Sequence, residues 1–221
     1  MLFRSTPRPE IVINGGTLTV GPNDTLRLAN NSGCEGVMTV NGGNVVLTNQ
    51  SLMLADNQDG AKGTLILNGG RLQAYNLYRN GVNGSGVVHF NGGVFAPSAT
   101  RTLNGLALTN RAGGAVFDVP QGVVFTVQSA VEHDETLGAE PDGGVVKLGA
   151  GTLVLSGANP YTGPTAASNG LLRVNGTLAA EAAGSVASGA ALALDAPGGR
   201  ACAGGALTLG PAAGDAGAPG L

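Results

Sequence analysis

The densest group of titratable side chains in this sequence is the run Glu132-His133-Asp134-Glu135, which lies between Val131 and Leu137. Adjacent carboxylates and an imidazole can bind a metal ion or exchange protons with a substrate. Consecutive residues on a strand point to opposite faces, however, so four in a row converge only at a turn. We therefore predict a solvated polar loop over residues 129–141, without a catalytic, metal-binding or cofactor-binding role.

Other signatures of chemistry are missing from the sequence. It has no GxxxxGK[ST] phosphate loop and no G-x-S-x-G elbow, and Gly149-Ala150-Gly151 is not followed by the third glycine of a dinucleotide loop. His89 has no partner nearby in sequence and is predicted to be exposed. Cys34 and Cys202 have neither CxxC spacing nor a nearby His cluster, which favours free thiols over a disulfide or a metal site. We predict a protein that is not an enzyme.

Composition limits the partners and the core. The 11 basic residues are scattered and the net charge is −3, which argues against a nucleic-acid partner. No apolar run reaches the length of a membrane helix, and residues 1–9 do not have the apolar run of a signal peptide. Because aromatic residues are only 4% of the chain, the core must be built mainly from Val, Leu, Ile and Ala.

An internal repeat indicates which elements would position any site. Four times an apolar stretch runs into Asn-Gly-Gly and a second apolar stretch follows, with spacings of 27, 27 and 23 residues. A period in this range is typical of stacked supersecondary units. The four predicted corners are Asn14-Gly15-Gly16, Asn41-Gly42-Gly43, Asn68-Gly69-Gly70 and Asn91-Gly92-Gly93.

Alternation around each corner predicts short strands with one buried face. Leu65 and Leu67 would point inward, while Arg71 would point outward. A third strand follows in at least two units, at Thr25–Leu28 and Ser51–Leu54. We predict an all-β, right-handed parallel β-helix (solenoid) with about three short strands per coil, in which the corner asparagines hydrogen-bond to one another. Asn-Gly between strands is also a strong signal for an antiparallel hairpin, so a meandering antiparallel sheet is the alternative.

From residue 142 the pattern changes, and residues 147–174 resemble the passenger-associated repeat of bacterial autotransporters, also called the autotransporter-associated β-strand repeat. Pro160 replaces the Thr that the family usually has between its Asn and Tyr, and Tyr161 is interpreted as a packing residue of a loop rather than a ligand stacker. The residues that match the family pattern are Lys147, Gly149, Gly151, Thr152, Leu153, Leu155, Gly157, Asn159, Tyr161, Gly163, Thr165, Gly170, Leu172 and Val174.

The resemblance implies an exported β-helical passenger segment, found outside the cell or on its surface, whose repeat is associated with transport and folding rather than catalysis. It divides the chain into a disordered segment (1–9), coils with Asn-Gly-Gly corners (10–128), the polar loop (129–141), the repeat with a following coil (142–195), and an Ala/Gly/Pro-rich end (196–221) that is poorly ordered or the end of a fragment. No signal peptide or membrane barrel is visible, which favours a piece of a longer protein.

Three functions fit these observations. The first is a non-catalytic stalk that displays other segments of a larger surface protein. The second is a polysaccharide-active enzyme on the same scaffold, which would need a ladder of carboxylates that Thr17, Asn44, Arg71 and Val94 do not provide. The third is an adhesin that binds a glycan or a host or matrix surface through outward Asn, Thr, Tyr75 and Tyr78.

Overall fold

The computed structural model describes residues 9–179, 184–195 and 207–209. The predicted disordered segment 1–9 lies outside this part of the chain except for Pro9. The predicted poorly ordered end, residues 196–221, lies outside it except for 207–209, and Cys202 lies outside it as well. Cys34 is a free, half-buried thiol.

The chain winds into a parallel β-solenoid of about eight turns, here called coils 1 to 8, and each coil passes through three faces, here called faces 1, 2 and 3 in chain order. The first three coils each have three separate strands: β1 (Glu10–Ile13), β2 (Thr17–Val20) and β3 (Arg27–Ala29); β4 (Glu35–Val40), β5 (Asn44–Leu47) and β6 (Leu52–Ala55); β7 (Lys62–Leu67), β8 (Arg71–Ala74) and β9 (Leu77–Arg79).

In the next two coils a single long strand runs through faces 1 and 2 before a short strand on face 3. These strands are β10 (Ser85–Pro97) and β11 (Arg101–Leu103) in coil 4, and β12 (Ala107–Asp118) and β13 (Val124–Val127) in coil 5. Because β10 and β12 pass through the corner, most strands of the first two faces join into one 13-stranded sheet.

The last three coils return to separate strands, several of them only two or three residues long. They are β14 (Val131–His133), β15 (Val145–Leu148) and β16 (Thr152–Leu155); β17 (Ala158–Asn159), β18 (Thr165–Ala167) and β19 (Gly170–Val174); β20 (Thr177–Leu178), β21 (Gly184–Val186) and β22 (Ala190–Leu194). A strand of a further turn, β23 (Leu207–Leu209), pairs with β21, and a 3-10 turn (Glu135–Leu137) lies between β14 and β15.

Strand pairing decides between the solenoid and the antiparallel meander. The two strands that flank an Asn-Gly-Gly corner do not pair with each other: β1 pairs with β4 and β2 pairs with β5, both in parallel. Each strand therefore stacks on its equivalent in the next coil, one strand spacing of about 4.8 Å away. The parallel solenoid is confirmed, and so is the prediction of about three strands per coil.

Side-chain alternation places the inward residues in one continuous core. Val40, Leu67 and Phe90 are Cα partners in neighbouring coils and are fully buried. Their equivalent in coil 1, Ile13, is half-buried, and it packs with Ile11 against the same core. Each fully buried Val or Leu contributes about 1.5–3 kcal/mol relative to an exposed side chain, so the solenoid is stabilised by many moderate increments.

Aromatic side chains contribute more to the core than the composition indicates. Four of the five Phe residues meet inside coils 4 and 5. The ring centroids of Phe90 and Phe117 are 5.4 Å apart, and those of Phe95 and Phe125 are 5.5 Å apart in an edge-on arrangement. These distances are in the range in which aromatic pairs attract beyond simple burial. The long strands β10 and β12 thus lie over the bulkiest part of the core.

Two details of the strand prediction need correction. The third strand of coil 1 is Arg27–Ala29, two residues later than the predicted start at Thr25, because Leu28 and Ala29 are the residues that the next coil buries. Residues 129–141 are not entirely loop, because Val131–His133 form β14 and pair with β12. In the described part of the chain no helix is long and apolar enough to cross a membrane.

Candidate functional site at the junction of the two coil types

The corner between faces 1 and 2 carries a ladder of asparagine side chains in coils 1 to 4. Asn41 Nδ2 donates to Asn14 Oδ1 at 2.8 Å, and Asn68 Nδ2 donates to Asn41 Oδ1 at 2.8 Å. Asn91 Nδ2 in turn donates to Asn68 Oδ1 at 3.0 Å. A carboxamide suits this position because it carries a donor and an acceptor, which lets identical residues bond above and below.

Glycine follows each of these asparagines because neighbouring corners approach one another closely. Gly43 has φ +75°, and a Cβ at this residue would lie 2.5 Å from the carbonyl oxygen of Gly16. Gly16 and Gly70 have the same left-handed backbone, which only glycine adopts without strain. In the fourth unit the left-handed residue is instead the first glycine, Gly92, at φ +93°.

With the left-handed residue moved to Gly92, the fourth predicted corner no longer separates two strands. At Asn91-Gly92-Gly93 there is no break between strands, since β10 continues through all three residues. The ladder also ends here, because Asn91 Oδ1 accepts a hydrogen bond from the backbone N–H of Gly113 rather than from another asparagine. A different arrangement therefore joins the coils beyond coil 5.

Asp142 takes over the same corner in coil 6. Its Oδ1 accepts hydrogen bonds from the N–H groups of Gly144 at 2.8 Å and Gly163 at 3.1 Å, and from Asn110 Nδ2 at 3.1 Å. Its Oδ2 accepts from the N–H of Thr162 at 2.8 Å. One carboxylate thus connects coil 5, its own coil and coil 7, and its side chain is fully buried.

Burial and hydrogen bonding shift the pKa of Asp142 in opposite directions. Burial alone would raise the pKa of the Asp142 carboxyl, but the N–H of Thr162, the His133 ring and the N–H groups of Gly144 and Gly163 together lower this pKa below its ordinary value. The carboxylate is therefore ionised across the physiological pH range. A buried negative charge of this kind is stable only while its donors remain in place.

His133 belongs to this network, which corrects the interpretation of the run 132–135 as a solvated loop. Its Nδ1 lies 3.0 Å from Asp142 Oδ2 and 3.0 Å from Thr162 Oγ1, and Nε2 lies 3.3 Å from the carbonyl oxygen of Gly138. The carboxylate has no proton to give, so Nδ1–H donates to Asp142. Asp142 and Thr162 both contact Nδ1 of His133. A catalytic relay needs one partner on each ring nitrogen, so this arrangement is not such a relay.

Both carboxylate oxygens of Asp134 also accept hydrogen bonds from neighbouring side chains. Thr136 Oγ1 donates to Asp134 Oδ1 at 2.7 Å, and Arg111 Nε donates to Asp134 Oδ2 at 3.0 Å. The Thr136 hydroxyl is the main cause of a pKa for Asp134 below the ordinary value, and Arg111 acts in the same direction. Asp134 therefore stabilises the 3-10 turn that follows it rather than presenting a free carboxylate.

His89, predicted to be exposed, is half-buried on face 1. It is in register with Thr109 and Glu132 of the next two coils. Burial lowers the pKa of His89 below its ordinary value, the charge of Arg111 acts in the same direction, and the charge of Asp134 opposes them. Within the described residues no three His, Cys, Asp or Glu side chains are grouped as metal ligands.

The motif lysine of the second half points into the solenoid. Lys147 is fully buried, and its Nζ donates to the carbonyl oxygens of Leu148 at 2.7 Å, Gly149 at 2.6 Å and Asn169 at 3.1 Å. These oxygens lie at the corner between faces 2 and 3, and that of Leu148 also accepts the backbone N–H of Val119 at 3.0 Å. Burial lowers the pKa of Lys147 to about 8, and the charge of Asp118 partly opposes this change.

The motif asparagine replaces backbone pairing where the strands of face 1 become very short. Asn159 Oδ1 accepts from the N–H of Val131 at 3.1 Å, while its Nδ2 donates to the carbonyl oxygens of Gly157 at 2.8 Å and Thr177 at 3.2 Å. Its side chain is almost fully buried. One side chain therefore links coils 6, 7 and 8.

The motif tyrosine and the motif glycines complete the interior of the second half. Tyr161 is fully buried, and its hydroxyl lies 2.6 Å from Thr165 Oγ1, so it packs in the core. A Cβ on Gly176 would lie 1.9 Å from the carbonyl oxygen of Gly157 in the coil before it. The remaining matched residues, Gly151, Thr152, Leu153, Leu155, Gly163, Gly170, Leu172 and Val174, lie on or beside β16, β18 and β19.

Comparison with known proteins finds a family match within the second half of the chain. Residues 145–174 match the family model described as the passenger-associated-transport-repeat. Over these residues the chain is similar to that repeat. It covers β15 to β19, so Lys147, Asn159 and Tyr161 are all within it.

A curated relative is similar to a longer stretch of the chain. The chain is 38% identical over 96 residues to a protein named adhesin BmaC autotransporter from Brucella suis biovar 1 (strain 1330). The match covers 42% of this chain but only 2% of the length of that relative. No solved structure matches the chain. The two findings confirm the resemblance to an autotransporter passenger domain that carries the associated repeat.

Some residues of this site could have been recognised from the sequence, and others could not. Asp142-Gly143-Gly144 is an Asn-Gly-Gly corner with Asp in place of Asn, and Gly144 has the same left-handed φ, +70°, as the second glycine of the first three corners. That analogy could have identified Asp142. Nothing in the local sequence indicates that Asn110 or Thr162 would bond to it, because these residues are 32 and 20 positions away.

Proposed function

We propose that this chain is a non-catalytic stalk segment of a longer bacterial surface protein of the autotransporter type. The main support for this proposal is that polar side chains of the repeat point into the solenoid rather than toward solvent. Both Lys147 and Asn159 are buried. Lys147 bonds to the coil after its own, and Asn159 bonds to the coils before and after its own. Residues used in this way hold the solenoid together and are not available to a substrate.

The stalk would display other segments of the larger protein at the cell surface. A solenoid suits this role because each coil contacts only its neighbours, so coils can be added without redesign of a central core. In this proposal the repeat is the part that fixes neighbouring coils after export, since its side chains replace backbone bonds where the strands are only two residues long.

The geometry of face 1 supports the absence of catalysis. A glycoside hydrolase needs two carboxyl groups that flank the scissile bond. Of the acidic side chains near His89, Asp134 is bonded through both oxygens to Thr136 and Arg111, which leaves Glu132 as the exposed carboxylate of this group. A single carboxylate does not provide the acid and the base that the reaction requires.

The test is incubation of the purified chain with a panel of soluble polysaccharides, with reducing ends measured over time. We expect no increase above a buffer control. A gain in reducing ends that disappears in Glu132→Gln, but remains in the exposed control Glu140→Gln, would overturn the proposal and establish a polysaccharide-active protein.

Adhesion is the second candidate function, and the relative's name, an adhesin, is what favours it. A glycan or a matrix surface would contact outward polar side chains, and Tyr75 with Arg101 offers a flat contact of this kind, since the guanidinium carbon lies 5.5 Å from the ring centroid. A glycan array with the wild type and Tyr75→Ala tests this role. Binding that is equal in both proteins would place the contact elsewhere.

A further inference from the structure

The chain contains nine Asn-Gly pairs, and the structure places them in very different surroundings. Asn-Gly is the dipeptide most prone to deamidation, because glycine has no Cβ to hinder the approach of its backbone nitrogen. That nitrogen bonds to the Asn Cγ and loses its proton, the Cγ–Nδ2 bond breaks, and ammonia leaves. Water then opens the resulting succinimide to give aspartate or isoaspartate.

In coils 2 and 3, hydrogen bonds restrain both reacting groups of the corner Asn-Gly pairs, the carboxamide and the following backbone nitrogen. The side chains of Asn41 and Asn68 each donate to one neighbour and accept from another at 2.8–3.0 Å. The attacking nitrogens are also engaged, since Gly42 N–H donates to the Ile13 carbonyl at 3.3 Å and Gly69 N–H to the Val40 carbonyl at 3.1 Å. Reaction there requires these bonds to break together.

Among the described residues, two other Asn-Gly pairs have neither a hydrogen-bonded carboxamide nor a hydrogen-bonded glycine N–H. Asn83 lies in the exposed turn between β9 and β10, and Asn104 lies at the exposed corner after β11. Neither carboxamide forms a hydrogen bond with any residue that the structure describes, and the same holds for the N–H groups of Gly84 and Gly105. Each carboxamide can rotate toward the following nitrogen without the loss of a hydrogen bond to a described residue.

We propose that Asn83 and Asn104 are sites of spontaneous deamidation in the folded protein, and that the ladder protects Asn41 and Asn68. The ladder has a reason to need protection. An Asp at position 41 would lose the Nδ2 donor and face Asn14 Oδ1 with a second acceptor, whereas an Asp at position 83 or 104 would break no hydrogen bond of its own carboxamide in the described structure. Only the reaction in the ladder would disrupt stacking.

The experiment is incubation of the folded chain at 37 °C and mildly alkaline pH, followed by proteolysis and mass spectrometry of each Asn-Gly peptide. We expect Asn83 and Asn104 to deamidate at least about tenfold faster than Asn41 and Asn68, because at least two hydrogen bonds must break in the ladder. The same incubation in denaturant is the control, and there the four rates should converge.

A variant tests the protection directly. Asn14→Ala removes the acceptor of Asn41 Nδ2, and we expect deamidation at Asn41 to rise by about fivefold, the effect of one lost hydrogen bond. The rate at Asn83 should stay unchanged, and Asn44→Ala, an exposed neighbour outside the ladder, should leave Asn41 at its original rate. Equal rates at all four sites in the folded chain, or no change at Asn41 in Asn14→Ala, would overturn the proposal.

Discussion

The carboxylate of Asp142 accepts a hydrogen bond at 2.8 Å from the backbone N–H of Thr162, a residue of the next coil. The Thr162 hydroxyl and the His133 ring approach the same oxygen at 3.2 Å and 3.0 Å. This contact joins a residue just before the repeat to a residue inside it, one coil further along. It also makes the stability of the junction depend on the charge of one buried group.

The first prediction concerns that charge. Asp142→Asn keeps one acceptor but places an NH₂ group against backbone N–H donors, so we expect the free energy of unfolding to fall by about 2–3 kcal/mol. Urea denaturation followed by circular dichroism measures the change. Asp24→Asn, an exposed carboxylate in coil 1, is the matched control and should change stability by no more than about 0.5 kcal/mol.

The second prediction is the pH dependence of the same contact. Because the pKa of Asp142 is lower in the folded state than in the unfolded chain, its stabilising effect is fully present above about pH 4 and disappears as the pH falls through the folded value. The difference in unfolding free energy between the wild type and Asp142→Asn should therefore shrink below pH 4. A difference that stays constant down to pH 2 would show that the carboxylate charge does not stabilise the junction.

The third prediction concerns Lys147. Its pKa is lowered to about 8 in the folded protein, whereas the unfolded chain binds that proton up to about pH 10.4. The unfolded state thus binds more protons between these values, so the free energy of unfolding should rise with pH across this window, by up to about 3 kcal/mol. Lys147→Met should lack that rise when both proteins are unfolded in guanidinium chloride at several pH values. Parallel curves for the two proteins would contradict the assignment.

The fourth prediction concerns the side chain that links coils 6, 7 and 8. Asn159→Ala leaves the N–H of Val131 without this acceptor and removes one donor from the carbonyl oxygens of Gly157 and Thr177, although the Gly157 oxygen keeps the N–H of Thr177. We expect the free energy of unfolding to fall by about 3 kcal/mol. Asn175→Ala is the control, since Asn175 is exposed at the corner directly after the repeat. Hydrogen exchange should show the loss first at Val131. Equal stability of the two variants would mean that backbone pairing alone holds these coils.

The fifth prediction tests the facing of the strands in the first half. Leu67 is fully buried between Val40 and Phe90, so Leu67→Asp places an unpaired carboxylate in the core and should unfold coils 2 to 4. Val12→Asp, at an outward residue that is 47% exposed, should have a small effect on the melting temperature. If the two variants lost the same stability, the assignment of inward and outward residues would be wrong.

Arg71 shows how a correct facing assignment still missed a contact. The alternation placed Arg71 outward, and it is partly exposed. Its guanidinium nevertheless crosses coil 4 and pairs with Asp118 of coil 5, 47 residues further along the chain. Local sequence gives the side on which a residue lies, but the partner depends on which coils are stacked and in what register.

The sequence by itself determined the architecture of this protein. The Asn-Gly-Gly period and the alternation around it fixed the strands, the inward residues and the stacking of Asn14, Asn41 and Asn68, because each depends only on residues that recur at one spacing. The motif of the second half likewise identified the repeat.

Only the tertiary structure decided where the polar residues of the second half are used. The site at Asp142 draws its donors from three coils, and Lys147 and Asn159 find theirs at corners created by coils stacked above and below. His133 was interpreted as solvated for the same reason, since its partners Asp142 and Thr162 reach it only after the chain completes a turn. Hydrogen bonds of this kind join residues that have no periodic relationship in sequence, so no local pattern could predict them.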